Sequence, residues 1–343
     1  MKKLWTRITA VVAVALTLTL VGCGGDQREL IHLRGSTMGT YYSIKLIKQD
    51  GLPDAASMQA EIDRRLELVN DQMSTYRKNS ELSQFNQHKA NTPYAVSAAT
   101  AKVVREAIRL ANLTDGALDV TVGPVVNLWS FGPEARPEHT PTAAEIAERK
   151  KIVGIHHLSV KGNTLTKDIP ELYVDLSSIA KGYGVDVVAD YFDELHVADY
   201  LVEIGGELSL KGNNLEGVPW RIAVEKPTDD GSRAIQEIIE PGDMAVATSG
   251  DYRNYFEENG VRYSHLIDPK TCKPIDNHVV SVTVLHESSM TADALATAFS
   301  VMGEEKAIEL AKAENLPVLL VVKTEQGFTE YMTDAFKAYL NKK

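Results

Sequence analysis

Cysteine is almost absent: the 343 residues hold two, Cys23 and Cys272. That count excludes a disulfide framework and a cysteine-based zinc site. Also missing are a G-x-G-x-x-G run opening a helix after a strand and a G-x-x-x-x-G-K-[ST] loop, which disfavours Rossmann and P-loop nucleotide sites. No internal repeat and no low-complexity tract occurs. Positive charge is short, with 36 Lys and Arg against 47 Asp and Glu and a net charge of −11. Such a surface repels phosphate backbones, so nucleic acid is not an expected partner. The apolar run from Ile8 to Val21 covers about 14 residues, short of the roughly 20 that a spanning helix needs.

That run follows Lys2, Lys3 and Arg7 and ends in Leu20-Val21-Gly22-Cys23. Basic start, short apolar core and a small residue before cysteine form the pattern of a bacterial lipoprotein processing site. The expectation is a signal peptide over 1–22, lipidation at Cys23 and a tether over 23–34 that starts Gly24-Gly25-Asp26. An uncleaved anchor or an ordinary secretion signal is the alternative. Lipidation would fix the chain to the membrane of the bacterial cell envelope, facing the periplasm, and leave Cys272 a free thiol. Loss of the three leader cations takes the formal charge to about −14.

The remainder, 35–343, reads as one α+β domain with largely antiparallel sheets and packed helices. Thr40 to Ile47 alternates polar and apolar residues as a strand does. Ile62, Leu66, Val69 and Met73 recur at helical spacing and predict a helix over 57–73. Further helices are expected at 100–112, 143–150, 178–195, 291–302 and 303–314. Strands are expected at 173–175, 200–204, 220–224, 234–239, 279–285 and 318–322. The segment Gly132 to Pro141 reads as a proline-rich exposed loop.

Several segments could carry chemistry. Asp293 and Thr297 are four apart on one helix face behind an expected Thr291 cap. A carboxylate and a hydroxyl so placed suit Mg²⁺; alternatively Asp293 is a first-turn acid and Thr297 surface filler. Between Asp175 and Asp186, Ser178 can cap a helix whose first turn holds Lys181. Gly182 and Gly184 are costly in a helix interior, so the backbone there either approaches a ligand or makes a tight helix–sheet contact. Asp115-Gly116 marks a turn before Ala117-Leu118-Asp119. Gly35 to Thr40 opens the first strand, where Met38 could cover a flat ring or fill the core. Tyr76 could stack on an aromatic ligand or cap the core. Gly205-Gly206-Glu207 and Ala247 to Tyr252 supply small-residue turns of the kind that admit a ligand. His265, before an Asp268-Pro269 turn, is a general base or a structural histidine.

Taken in order, STMGTYYS, MSTYRKNSELSQFN, TDGALDVTVGPVVNLW, DLSSIAKGYGVD, EIGGELSLKG, ATSGDYR, YSHLIDP and TADALATA resemble the ApbE family, the FAD:protein FMN transferases, from Gly35 to about Phe336. The resemblance implies an α+β fold related to the tunnelling fold. It implies Mg²⁺-dependent transfer of FMN from FAD to a threonine of acceptor proteins, with release of AMP and formation of a phosphoester-linked threonyl-FMN. It aligns Met38, Tyr76, Ala117, Leu118, Asp119, Asp175, Lys181 and Ile267 with FAD contacts. Asp293, Thr297 and the Ala180 carbonyl align with the metal site, and His265 with the histidine that activates the acceptor. The implied partners are periplasmic FMN-bearing subunits of redox complexes with a D-x-x-[S/T]-G-A-T type motif, of which this chain lacks a good copy. A Mg²⁺-dependent FAD pyrophosphatase and a non-enzymatic flavin-binding lipoprotein are the rival readings.

Overall fold

The computed structural model describes residues 28–132, 140–226, 234–250, 255–258 and 261–341. The expected signal peptide, Cys23, Asp251-Tyr252 and the middle of the proline-rich loop lie outside those residues. Its centre is an eight-stranded sheet: β1 (Leu30–Thr37), β2 (Thr40–Ile47), β3 (Tyr200–Ile204), β4 (Glu207–Lys211), β5 (Ala245–Gly250), β6 (Val279–His286), β7 (Val318–Thr324) and β8 (Gly327–Met332). Spatial order equals chain order, and every neighbouring pair is antiparallel. The α+β architecture with antiparallel sheet is therefore as expected.

Five helices pack on this sheet or on one another to position the site: α1 (Ala55–Met73), α2 (Ala98–Leu113), α3 (Ala180–Glu194), α4 (Ser289–Met302) and α5 (Glu304–Ala313). Met58, Ile62 and Leu66 of α1 pack with Val185, Val188 and Phe192 of α3 over Ile44, Val202 and Ile204 of the sheet. Alanines and Phe299 of α4 continue that layer over Val282, Val284 and Leu320. The alternate strand residues Leu201, Val246, Leu285 and Leu319 face a second core with Trp220 and Phe336. Because both faces of the central strands are covered, β7 is apolar without a break from Val318 to Val322.

Capping sets the helix starts. Asp54 accepts from Ser57 N at 2.8 Å and Ser97 from Thr100 N at 3.2 Å, so α1 and α2 each begin two residues before the expected position. Helix α4 starts at Ser289 under a Ser288 cap, not at Thr291, whose hydroxyl instead donates to Glu106 Oε1 at 2.8 Å. Three expectations are corrected. Tyr173 to Asp175 is no strand; it runs irregularly, tied to the 120 region by Asp175 N donating to Val120 O at 2.7 Å. The strand expected at 220–224 is Ile222–Lys226. Residues 30–34, expected to end a tether, instead lie in edge strand β1, where Leu30 pairs with Ile47.

Candidate functional site

The first turns of α3 and α4 cross in close contact. A Cβ on Gly182 would lie 2.2 Å from the Ser289 carbonyl oxygen and 2.8 Å from Asp293 Cβ, so only glycine permits the approach. Gly182 N–H donates to Asp293 Oδ2 at 2.9 Å. From the other side, Asp186 of α3 accepts Ser289 N at 2.7 Å, Met290 N at 3.1 Å and the Ser288 hydroxyl at 2.7 Å. A carboxylate of one helix thus satisfies the free N–H groups that begin the other. These bonds fix α4, and with it Asp293 and Thr297, against the start of α3.

Gly184 resolves the other open reading. A Cβ there would meet Met38 Cε at 2.8 Å, so both glycines serve close packing within the protein. Met38 and Gly39 have φ of +50° and +72° and form the two-residue turn joining Thr37 to Thr40. Two positive φ values match the right-handed twist of the flanking strands. The segment read as opening the first strand is therefore the β1–β2 turn. Met38 packs on both halves of the core layer and also lines a cleft, combining the two roles weighed for it.

Two clefts meet at Ser177 and Lys181. The larger, about 1130 Å³, is lined by Thr37, Met38, Met73, Thr75, Tyr76 and Ala180. Tyr76 is 69% exposed at its rim, and Arg77 beside it is held by Glu67 and Asp71 at 2.7 and 2.6 Å. Thr75 donates to Asp175 Oδ2 at 3.2 Å, and Ser177 N donates to Asp175 Oδ1 at 2.8 Å. Asp175 therefore braces the wall of the larger cleft where the two join. The smaller cleft, about 350 Å³, gathers Ala117, Leu118, Asp119, Lys181, Glu207, His265, Ile267, Asp293 and Thr297. Residues as distant in sequence as Met38 and Thr297 thus line one continuous recess.

Asp119 spends its carboxylate locally, accepting from Thr121 N at 2.8 Å, the Thr121 hydroxyl at 2.6 Å and Ile155 N at 3.1 Å. Burial nevertheless keeps it above the usual carboxylate range. His265 faces the smaller cleft with its ring edge-on to Phe131, centroids 6.4 Å apart. Ile267 and Cys272 pack on Val125 and Trp129, whose indole N–H donates to Cys272 O at 3.0 Å, anchoring the loop that carries His265.

Sequence reasoning missed two residues. Asp186 is one, and Glu207 is the other, seen only as part of a small-residue turn. Glu207 is 3% exposed; its Oε1 accepts from Lys181 Nζ at 2.5 Å, and its Oε2 is buried without a partner among the described residues. Burial, then the charge of Asp293, push its carboxyl up to about 7, against the pull of Lys181. Burial likewise raises Asp293, opposed by Lys181 and the Gly182 N–H. Burial works to lower the Lys181 ammonium, but Asp293 and Glu207 outweigh it and leave the group above the ordinary lysine range. The ammonium is hydrogen-bonded to Glu207 and acts on Asp293 through its charge.

No three His, Cys, Asp or Glu side chains converge as a metal cage among the described residues. Asp293 and Thr297, one turn apart on α4 and facing one cleft, are a partial set of hard oxygens, whereas Ala180, at the start of α3, lines the other cleft. Such a set fits Mg²⁺, which usually takes one or two carboxylates and completes its shell with water and substrate phosphates.

The ApbE family profile matches residues 38–320. The FAD:protein FMN transferase of Vibrio cholerae is 63% identical over 331 residues, covering 96% of this chain and 98% of that protein. The enzyme of the same name from Haemophilus influenzae is 52% identical over 344 residues, with 98% of each chain covered. Among solved structures, the flavin transferase ApbE from Vibrio cholerae superposes with a TM-score of 0.87 at 62% identity, covering 91% of this chain and 100% of that one. The Pseudomonas stutzeri flavinyl transferase ApbE, apo form, gives 0.85 at 38% identity, with 92% and 98% covered. With a profile match and relatives spanning nearly the whole sequence, this chain belongs to the ApbE family.

Proposed function

We propose that this chain is an FAD:protein FMN transferase that opens the diphosphate of FAD, moves FMN to a threonine hydroxyl of another protein and releases AMP. The observation that carries this reading is the meeting of the two clefts at Lys181, one walled by Met38 and Tyr76 and the other floored by Asp293 and Thr297. A flat ring system suits the thioether and phenol of the first. A diphosphate at the junction would meet the Lys181 ammonium on one side and the α4 oxygens on the other. Held by Asp293, Thr297 and the Ala180 carbonyl, Mg²⁺ would neutralise charge on the diphosphate.

His265 is the base that the cleft offers. In the transfer the threonine oxygen bonds to the flavin-side phosphorus, and its proton passes to His265. The anhydride P–O bond breaks, and AMP leaves with the electron pair. Positioning and charge neutralisation supply most of the rate in such transfers. The N-terminal pattern of a basic start, a short apolar run and Gly22 before Cys23 supports a lipid anchor at Cys23 and work on the periplasmic face of the envelope. Acceptors would carry the D-x-x-[S/T]-G-A-T type motif.

The test is to incubate the full chain with FAD, Mg²⁺ and a motif-bearing acceptor, then weigh the acceptor. A gain of one phosphoester-linked FMN, with one AMP released, is expected. Free FMN and AMP without labelling would make the chain a pyrophosphatase, and intact FAD would make it a binder.

A further inference from the structure

Lys181 and Asp293 are neighbours by construction. The close approach that lets Gly182 N–H reach Asp293 Oδ2 also brings the preceding residue, Lys181, near enough for its charge to act on that carboxylate. An ammonium on a flexible four-carbon stem pairs readily with a carboxylate within reach. Such a pair at Asp293 would compete with a divalent cation for the same oxygens. Glu207 intervenes. Gly205 and Gly206, with φ of +62° and +108°, make the tight turn that begins β4, and Gly205 packs on Thr40. That turn aims Glu207 inward, where its Oε1 takes the Lys181 ammonium at 2.5 Å. The Glu207 side chain is 4% exposed against 34% for Lys181, so the acid is the fixed partner and the lysine the one that is held. Glu207 Oε2 is buried and has no partner among the described residues, which carries a desolvation cost.

We propose that Glu207 is a positioning residue that neutralises Lys181 and holds it off Asp293, leaving the Asp293 carboxylate for the cation; this rests on Asp293 being a metal ligand, as in the proposed function. Glu207 touches neither substrate nor cation on this view. It decides where the positive charge between the two clefts sits.

The test is Mn²⁺ binding to the full chain without FAD or acceptor, so that loss of Lys181 cannot act through the diphosphate, monitored by the EPR signal of free Mn²⁺ at about pH 8. Glu207→Gln should weaken Mn²⁺ by roughly tenfold, the low end for loss of an outer partner of a metal ligand. Adding Lys181→Met to that variant should return the affinity towards wild type, because the competing cation is gone. A structural role for Glu207 would not be rescued in this way. Unchanged affinity in Glu207→Gln, or a double variant as weak as the single with both folded, overturns the inference. Should Glu207→Gln fail to fold, Lys181→Met alone decides: binding at or above wild type is expected, and weaker binding overturns it. Asp293→Asn separates the two levels, since undiminished Mn²⁺ binding there would remove the metal reading itself.

Discussion

On the proposed function, His265 serves the acceptor threonine and does not hold FAD. It sits on a loop anchored by Ile267 and Cys272 against Trp129, away from the α3–α4 contact. His265→Ala should therefore lower the transfer rate by roughly 10²- to 10⁴-fold, the usual worth of a general base, while flavin fluorescence titration finds FAD bound as before. An unchanged rate would clear His265 of that role. Glu207 carries a second expectation at this scale. Its carboxyl lies at about 7 in the folded chain, above the value of about 4.3 for an unfolded one. The folded state thus holds that proton more tightly, so the contribution is fully present below pH ~4.3 and is lost as pH rises through about 7. Unfolding midpoints of the metal-free chain should fall across that window more steeply than those of Glu207→Gln; parallel curves would contradict the assignment.

At the scale of elements, the site depends on how closely α3 and α4 cross. Gly182→Ala gains about 1 kcal/mol of helix propensity, yet its Cβ would meet backbone at 2.2 Å, which no side-chain movement relieves. Overpacking of this kind costs roughly 1–3 kcal/mol, and the helices must part at Asp293. A lower unfolding midpoint together with weaker FMN transfer is expected; wild-type values for both would show that the crossing tolerates more than its geometry suggests. Helices with clear periodicity and a good cap were legible in the sequence, as α1 and the helix Ala143–Lys150 with its Thr142–Glu145 capping box illustrate. The start of α4 was not, because part of its cap is Asp186, about a hundred residues away in the chain. The glycines of α3 signalled a close approach correctly, but spacing could not say that the visitor is another helix. Glu207 was hidden for a related reason: its burial beside Lys181 comes from the β3–β4 turn folding back, and Gly-Gly-Glu alone reads as an exposed turn.

Across the whole molecule, one antiparallel sheet brings both ends of the sequence to the same recess. The β1–β2 turn supplies Met38, and α4, following β6, supplies Asp293 and Thr297. Strands β2, β3, β6 and β7 were readable because they are rich in apolar residues and both sheet faces are covered; β4, β5 and β8 were not, and Ala247 to Gly250, expected as a turn, lies in β5. Edge strand β1 escaped, since only Leu33 and Thr37 of its eight residues are buried and its polar positions resemble a tether. The convergence of the site itself was legible only through the family resemblance, since no single segment fixes which cleft it lines.

The central claim is that a divalent cation at Asp293 and Thr297 meets the diphosphate of FAD beside Lys181. A crystal soaked with FAD and Mn²⁺, with anomalous diffraction recorded at the manganese edge, tests it most directly. An anomalous peak within about 2.5 Å of oxygens from Asp293 and Thr297, in contact with the diphosphate, is the expected result. A diphosphate bound elsewhere, or manganese away from α4, would contradict it.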